Sequence, residues 1–248
     1  MGSTDTTAKF IEQLGKCFQI SVEKVDYFLG LQIKRFDNCI QINQSAYVKR
    51  ILEKHDMMDA KPLSLPIEPG WTPGESPPFN NTGLYREMVG SLMYLTQGTR
   101  PDLSYAVNVA SRVQDSPTQA HFTLLKRIFR HLKSRITDGI KFTKDKDCSI
   151  EAYSDDDHGR DRSTRRSTSG ILLKFHGWPA VWKSKLQQCV ALSSMEAEYV
   201  AASEVCKSIV WLDELLREIG ADDESSVPVL QIDNQSAIKF INGSEFYE

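Results

Sequence analysis

Three acidic residues in the second half of the sequence could bind a divalent cation together. Asp155 ends a predicted strand, Asp233 ends a later one, and Glu198 lies near the start of the helix between them. In an open α/β sheet, ligands collect outside the carboxyl ends of parallel strands, so the aspartates converge if their strands are neighbours. Carboxylate oxygens are ligands that suit Mg²⁺. Taken alone, each aspartate is more often a turn or helix-cap residue, which is the alternative interpretation.

Two glutamates near that helix start, Glu196 and Glu198, are candidates for the third ligand. Ser193 and Glu196 have the Ser-x-x-Glu spacing of a capping box, which gives Glu196 a structural role. Glu198 lies about 200° further round the helix. Steps of three and four residues from Glu198 reach a predicted buried stripe, formed by Ala202, Val205, Ile209, Leu212 and Leu216. Because a carboxylate that heads an apolar stripe needs a compensating partner, we predict that Glu198 belongs to the metal site.

The elements that must position these residues follow one another after residue 148. Their periodicities predict three antiparallel strands, a long amphipathic helix, a fourth strand and a second helix. The predicted bounds are 149–154, 169–175, 180–182, 194–219, 227–232 and a helix that begins at Gln235. Gly220 stands where a helix C-terminal cap is expected. Because a helical crossover returns the fourth strand parallel to its partner, the predicted fold class is α/β with a mixed sheet.

The first part of the sequence predicts a small module and a group of helices, separated by a proline-rich segment. Runs at 27–33 and 39–42 predict a β-hairpin, and 45–54 predicts a helix. Six prolines and two glycines between 62 and 78 exclude a helix or a central strand. Downstream, 85–95, 103–113 and 116–132 have helical periodicity.

The last of these helices and the residues just after it are basic. A solvated face and a phosphate-facing surface are both open interpretations. The basic residues are Lys126, Arg127, Arg130, Lys133 and Arg135.

Composition indicates a globular protein and excludes several classes. The 248 residues are 40% hydrophobic and 25% charged, which suits one or two domains with real cores. The net charge of −3 gives no global attraction to nucleic acid, so binding would need local basic patches. Five cysteines without a Cys-x-x-Cys motif argue against a zinc site and a disulfide framework. Without a long apolar run or a secretory signal, we expect no membrane partner and a cytoplasmic location, with the nucleus as a second compartment.

Several motifs, in order along the chain, resemble copia-type retrotransposon Pol polyproteins. Those that resemble the family's ribonuclease H signature are Tyr153-Ser154-Asp155, Arg165-Arg166-Ser167-Thr168-Ser169-Gly170, Ala191-Leu192-Ser193-Ser194, Glu196-Ala197-Glu198-Tyr199 and Asp233-Asn234-Gln235-Ser236-Ala237. Those that resemble its reverse-transcriptase tail and connection are Tyr27-Phe28-Leu29-Gly30, Val89-Gly90-Ser91-Leu92-Met93-Tyr94-Leu95 and Arg100-Pro101-Asp102-Leu103. The resemblance covers nearly the whole chain.

The resemblance implies a ribonuclease H-like mixed sheet in the order β-β-β-α-β-α, truncated at its C-terminus. A small α+β reverse-transcriptase tail and a helical connection would precede it. The implied segments are a reverse-transcriptase hairpin and helix over residues 1–61, a linker over 62–82, a helical connection over 83–137 and the ribonuclease H-like domain over 148–248.

The implied activity is hydrolysis of the RNA strand of an RNA–DNA hybrid with two divalent cations, Mg²⁺ or Mn²⁺. Asp155, Glu198 and Asp233 would be the catalytic and metal-binding residues. The implied partners are the hybrid and the remainder of the Pol polyprotein. Candidate contacts to nucleic acid are Arg162, Arg165, Arg166, Lys183, Lys185, Asn234 and Gln235. A solvated hairpin is the alternative interpretation of the basic residues.

Three departures from the family pattern leave a second function open. The family's fourth active-site aspartate would lie beyond Glu248. Residues 155–161 read Asp-Asp-Asp-His-Gly-Arg-Asp, where the family usually has Asp-Ala-Asp-Trp-Ala-Gly-Asp. The chain also begins after the place of the paired polymerase aspartates, so we expect no DNA synthesis. The alternative function is that of an inactive or poorly active fragment that binds nucleic acid or a protein partner.

Overall fold

The computed structural model describes residues 4–21, 25–143, 149–161, 163–220 and 227–243. They form a mixed α/β structure with two four-stranded sheets. The helices are α1 (Thr4–Cys17), α2 (Ser45–Lys54), α3 (Thr82–Gly98), α4 (Ser104–Ser111), α5 (Gln119–Ser134), α6 (Ser194–Glu218) and α7 (Gln235–Ile241). The strands are β1 (Tyr27–Phe28), β2 (Leu31–Arg35), β3 (Cys39–Asn43), β4 (Gly139–Thr143), β5 (Ile150–Asp156), β6 (Thr168–Phe175), β7 (Trp178–Leu186) and β8 (Val229–Gln231). Within these ranges, no helix combines the length and the apolar character needed to cross a membrane.

The first sheet joins the N-terminal hairpin to a strand far along the chain. β2 and β3 are antiparallel, which confirms the predicted hairpin. The first predicted run is split, because Leu29 and Gly30 turn the backbone with positive φ and place β1 against β2. β4 pairs with β3 and is absent from the sequence-based prediction. A Cβ at Gly139 would collide with the backbone of Ile42, so glycine is needed where β4 meets β3.

Helices α2 to α5 share one hydrophobic core. Leu52 of α2, Leu92 of α3 and Leu125 of α5 are fully buried within it. The predicted helices at 45–54, 85–95 and 116–132 are present with small shifts at their ends. The helix predicted at 103–113 is shorter, because a 3₁₀ turn over Pro101–Leu103 precedes α4. The hairpin-and-helix segment, residues 27–54, therefore packs through α2 on the helical segment, residues 82–134. The predicted boundaries at 61, 82 and 137 stay predictions.

The proline-rich segment between α2 and α3 lies along α5. Arg127 and Arg130 donate hydrogen bonds through Nε to the carbonyl oxygens of Leu65 and Lys61. The Leu63 N–H in turn donates to the Arg130 carbonyl. Two basic side chains of α5 thus contact this segment, which weighs against the phosphate-facing interpretation of the helix.

The second sheet has the strand order β7-β6-β5-β8. β5, β6 and β7 form the predicted antiparallel meander, and β8 is parallel to β5 after the α6 crossover. α6 lies on β5 and β6, where Val205 and Leu212 pack with Ala152 and Leu173. Gly220, with φ +65°, ends α6 as predicted. The parallel pairing of β5 and β8 brings their carboxyl ends to the same edge.

Candidate metal centre

The three predicted carboxylates come together at this edge of the second sheet. Asp155 lies at the end of β5, Asp233 follows β8, and Glu198 lies on α6, which packs on β5. One carboxylate oxygen of each residue lies within 4.8 Å of those of the other two. Glu198 is only 5% exposed, whereas both aspartates are exposed. The predicted convergence is therefore present, and the binding of a cation stays a prediction.

The start of α6 determines which of the two glutamates faces the sheet. Ser193 caps the helix, and from there Glu198 lies on the buried side of α6. The Oγ of Ser193 accepts a hydrogen bond from the Glu196 N–H at 3.1 Å. The Oε2 of Glu196 accepts one from the Leu192 N–H at 2.7 Å. Glu196 thus has the predicted capping role, with its side chain bonded one residue earlier than in a standard capping box. Glu198, and not Glu196, therefore lies in the cluster, and its role as a metal ligand stays a prediction.

The site concentrates negative charge in a partly closed environment. Burial raises the pKa of Glu198 from its usual 4.5 to about 8, helped by a hydrogen bond with Asp233 and the charges of neighbouring aspartates. Burial and the charge of Asp233 raise the pKa of Asp155. Burial also raises the pKa of Asp156, although the His158 N–H donates to its carboxylate. These directions are those expected of carboxylates that share one site.

These features fit a divalent cation. The Oε2 of Glu198 is buried and has no hydrogen-bond partner among the residues that the structure describes. An unpartnered buried carboxylate oxygen is costly, and a cation would offset both the lost hydration and the mutual repulsion. A donor set made only of carboxylate oxygens suits Mg²⁺ or Mn²⁺ better than softer metals.

Buried polar side chains hold the elements that carry the carboxylates. Gln187 follows β7, and its Nε2 donates to the Ser169 Oγ on β6 at 3.0 Å and to the Ala197 carbonyl on α6 at 2.9 Å. Ser169 pairs with Asp156 across the sheet, and Ala197 precedes Glu198. Gln187 therefore fixes the start of α6 against the sheet. Sequence reasoning missed Gln187, because a run of polar loop residues does not show which one is buried.

A cavity of about 520 Å³ opens beside the cluster. Asp155 lies in its wall together with the basic residues Arg160 and Lys183. The helical segment contributes Tyr105 to the same wall. Sequence reasoning missed this contribution, because the pattern of a helix does not show which distant sheet it meets.

Comparisons with known proteins show what the chain is similar to. No protein-family profile matches it. The retrovirus-related Pol polyprotein from transposon TNT 1-94 of Nicotiana tabacum is 35% identical over an alignment of 251 positions, which covers 97% of this chain and 19% of that protein. An uncharacterized mitochondrial protein of Arabidopsis thaliana is 36% identical over 85% of this chain and 88% of its own length. Over most of its length, the chain is therefore similar to part of retrovirus-related Pol polyproteins of plant transposons. It spans about a fifth of the length of the tobacco polyprotein.

A third relative carries a different name. Secreted RxLR effector protein 161 of Plasmopara viticola is 46% identical over 128 residues, which cover 52% of this chain and 90% of that protein. The relatives of this chain therefore include proteins much shorter than a polyprotein.

The basic residues predicted to contact nucleic acid are unevenly placed around the candidate metal centre. Lys183 lines the cavity, whereas the Lys185 ammonium lies 3.8 Å from the Glu204 carboxylate on α6. Arg165 and Arg166 lie in the turn between β5 and β6. Arg162 lies outside the described residues. Of the described basic candidates, Lys183 is the one that shares the cavity wall with Asp155.

The two polar candidates lie at the start of α7. The Oδ1 of Asn234 accepts a hydrogen bond from the Ala237 N–H at 3.0 Å, so Asn234 caps the helix. Gln235 is the exposed first residue of α7. Asn234 thus has a structural role that its Asn-x-x-Ala spacing could have indicated. The binding of nucleic acid by either residue stays a prediction.

Proposed function

We propose that the chain is the ribonuclease H-type part of a copia-type retrotransposon Pol polyprotein and hydrolyses the RNA strand of RNA–DNA hybrids. The cluster of Asp155, Glu198 and Asp233 carries the proposal, because their ligand oxygens lie within 4.8 Å of one another. The order β5-β6-β7-α6-β8-α7, with β8 parallel to β5, is compatible with a ribonuclease H-like fold. Similarity to retrovirus-related Pol polyproteins over most of the chain supports the same context.

The three carboxylates would hold Mg²⁺ or Mn²⁺. When bound, a pair of such cations activates water as a nucleophile and stabilises the leaving oxygen of a phosphodiester. Asp155 and Asp233 are exposed and accessible to substrate, whereas Glu198 anchors the site from the buried side. Because the pKa of Glu198 is raised to about 8, a proton on this residue competes with the cation near neutral pH.

The hybrid would lie along the cavity beside the cluster. Arg160 and Lys183 in the cavity wall can offer positive charge to phosphate groups. Arg165 and Arg166 extend this basic character along the turn. A protein of this kind would distinguish RNA from DNA by its 2′-hydroxyl groups and by the shape of the duplex.

A hybrid with differently labelled RNA and DNA strands tests the proposal. We expect the purified chain to cut the RNA strand only, and only when Mg²⁺ or Mn²⁺ is present. Asp155→Asn and Asp233→Asn should each lower the rate at least about 100-fold, because two-metal catalysis depends on ligand geometry. RNA–RNA and DNA–DNA duplexes of the same sequence are the substrate controls. Absence of cleavage by the wild-type chain with both cations would contradict the proposal.

A second candidate function is binding of nucleic acid or of a protein partner without catalysis. The observation in its favour is the 46% identity to a protein named as a secreted effector, which the chain covers over 90% of its length. An electrophoretic mobility shift with the same hybrid separates the two functions. Binding without cleavage in Mg²⁺ would favour the second function, and cleavage would favour the first.

A further inference from the structure

Arg112 is the C-cap residue that follows α4, and its side chain contacts the second sheet. Its Nη2 donates a hydrogen bond to the Thr168 Oγ1 at 2.8 Å, and its Nη1 lies 3.5 Å from the Asp161 Oδ2. Its Nε also donates to the Asn108 Oδ1 at 3.1 Å, one turn earlier on α4. The Arg112 and Asp161 side chains are 18% and 14% exposed. The guanidinium is thus held on its own helix while it reaches two points on another element.

Those two points lie within and at the end of the turn that joins β5 to β6. The Asp161 Oδ1 accepts hydrogen bonds from the N–H groups of Ser163 and Thr164, each at 3.0 Å, and so shapes the tip of the turn. The Oδ2 of the same carboxylate faces Arg112. Asp161 therefore divides its two oxygens between the turn itself and the helical segment.

Thr168 connects this contact to the strand that carries the candidate metal ligand. The Thr168 N–H donates to the Asp157 Oδ1 at 2.5 Å, and the Asp157 N–H donates to the Thr168 carbonyl at 3.3 Å. One step further into the sheet Asp156 pairs with Ser169, and the next pair contains Asp155. Two hydrogen bonds, from Arg112 to Thr168 and from Thr168 to Asp157, therefore connect Arg112 to β5 and the residue after it. Asp155 lies two residues before Asp157.

We propose that Arg112 is a positioning residue that holds the β5–β6 turn, and through it the end of β5 that carries Asp155. The role of that strand end in cation binding rests on the proposed function. The planar guanidinium suits this task because it donates to the hydroxyl of Thr168 and pairs with the Asp161 carboxylate in fixed relative directions. Lysine keeps the charge but not the fork, so it replaces only part of the contact.

The competing interpretation is that Arg112 only fastens the helical segment to the second sheet. If that is its only role, replacing Arg112 should change the stability of the whole protein without selectively changing the turn or the cation site. Limited digestion with trypsin separates the two interpretations, because Arg160, Arg165 and Arg166 are cleavage sites within the turn. Titration with Mg²⁺ in a calorimeter reports on the cation site.

The experiment uses the full chain with the variants Arg112→Ala, Arg112→Lys and Asp161→Asn. Arg86→Ala is the matched control, because Arg86 lies in the same helical segment and pairs with Asp115 outside the turn. Arg112→Ala should raise the rate of cleavage within the turn about tenfold, as expected when one charge-assisted hydrogen bond is lost. It should also weaken Mg²⁺ binding about tenfold, the usual cost of removing a residue that supports a metal ligand. Arg112→Lys should recover part of both effects, and Arg86→Ala should match the wild type.

The double variant, Arg112→Ala with Asp161→Asn, tests whether the two residues act through their mutual contact and not through separate disturbances of the fold. If the two residues act through one contact, the double variant should differ little from the more affected single variant. The inference would be overturned if folded Arg112→Ala were cut by trypsin within the turn at the wild-type rate and bound Mg²⁺ with the wild-type affinity. It would also be overturned if Arg86→Ala changed both measurements as much as Arg112→Ala does. If the wild-type chain binds no Mg²⁺, the proposed function fails, and the trypsin measurement alone decides whether Arg112 holds the turn.

Discussion

Replacing Glu198 with glutamine should stabilise the cation-free protein at alkaline pH. Burial above all raises the pKa of Glu198 from its usual 4.5 to about 8 in the folded chain. Between these values the folded state keeps a proton that the unfolded chain has released, so the unfolding free energy falls as pH rises. Above about pH 8 the whole cost of the buried charge is present. Glutamine has nearly the same shape and no charge, so it removes this cost.

The size of the effect follows from the same two pKa values. The interval from 4.5 to about 8 corresponds to at most about 5 kcal/mol of unfolding free energy. Because Asp155 and Asp233 are exposed, solvent screens part of the repulsion, and we expect a gain of about 2 kcal/mol for Glu198→Gln above pH 8. Below pH 4.5 the carboxyl group is neutral in both states, so the pH-dependent gain should vanish.

Urea unfolding followed by circular dichroism, in EDTA at about pH 5 and about pH 8.5, measures this difference. Glu196→Gln is the matched control: glutamine keeps an oxygen that can accept from the Leu192 N–H, so the unfolding free energy should change by less than about 1 kcal/mol at both pH values. Addition of Mg²⁺ should reverse the order of Glu198→Gln and the wild type, because only the wild-type site binds the ion well. Equal pH dependence in the wild type and Glu198→Gln would refute this account of the site's electrostatics.

Three further predictions concern the cation, the support of the site and the first sheet. The Mg²⁺ affinity of the wild type should rise by up to about tenfold per pH unit between about pH 6 and 8, because binding displaces the Glu198 proton. A Mg²⁺ affinity that calorimetry finds independent of pH would contradict this. Gln187→Ala removes two buried hydrogen bonds and should lower the unfolding free energy by about 1–3 kcal/mol, whereas exposed Gln188→Ala should change little in the same urea titration. Gly139→Ala should lower the unfolding free energy and the melting temperature, because the added Cβ collides with the backbone of Ile42. Gly90→Ala, on the open face of α3, should raise the unfolding free energy by about 0.5–1 kcal/mol. A less stable Gly90→Ala and a more stable Gly139→Ala would show that the β3–β4 pairing is wrong.

Local patterns were enough to predict much of the second sheet and its candidate site. The phase of α6 distinguishes Glu198 from Glu196, because a two-residue step turns the side chain to another face of the helix. The helical crossover before β8 makes it parallel to β5, and that pairing alone brings Asp155 and Asp233 to one edge. Periodicity and connection rules determine both features within a short stretch of sequence.

Contacts between distant parts of the chain could not be predicted in this way. β4 is a five-residue strand whose partner, β3, lies about a hundred residues earlier, so no local pattern indicates the pairing. Arg112 follows helix α4, and no local pattern relates it to Asp161. Gln187 is polar, and its burial depends on the packing of α6 over β6. In each case the determinant is tertiary packing, which one sequence does not encode locally.

The central claim is that the cluster around Glu198 hydrolyses RNA in a hybrid with the help of a divalent cation. The most direct measurement is the initial rate of RNA-strand cleavage by the wild type, Glu198→Gln and Glu196→Gln at saturating Mg²⁺. We predict a rate at least about 100-fold lower for Glu198→Gln and a rate close to that of the wild type for Glu196→Gln. Equal rates for the wild type and Glu198→Gln would contradict the claim.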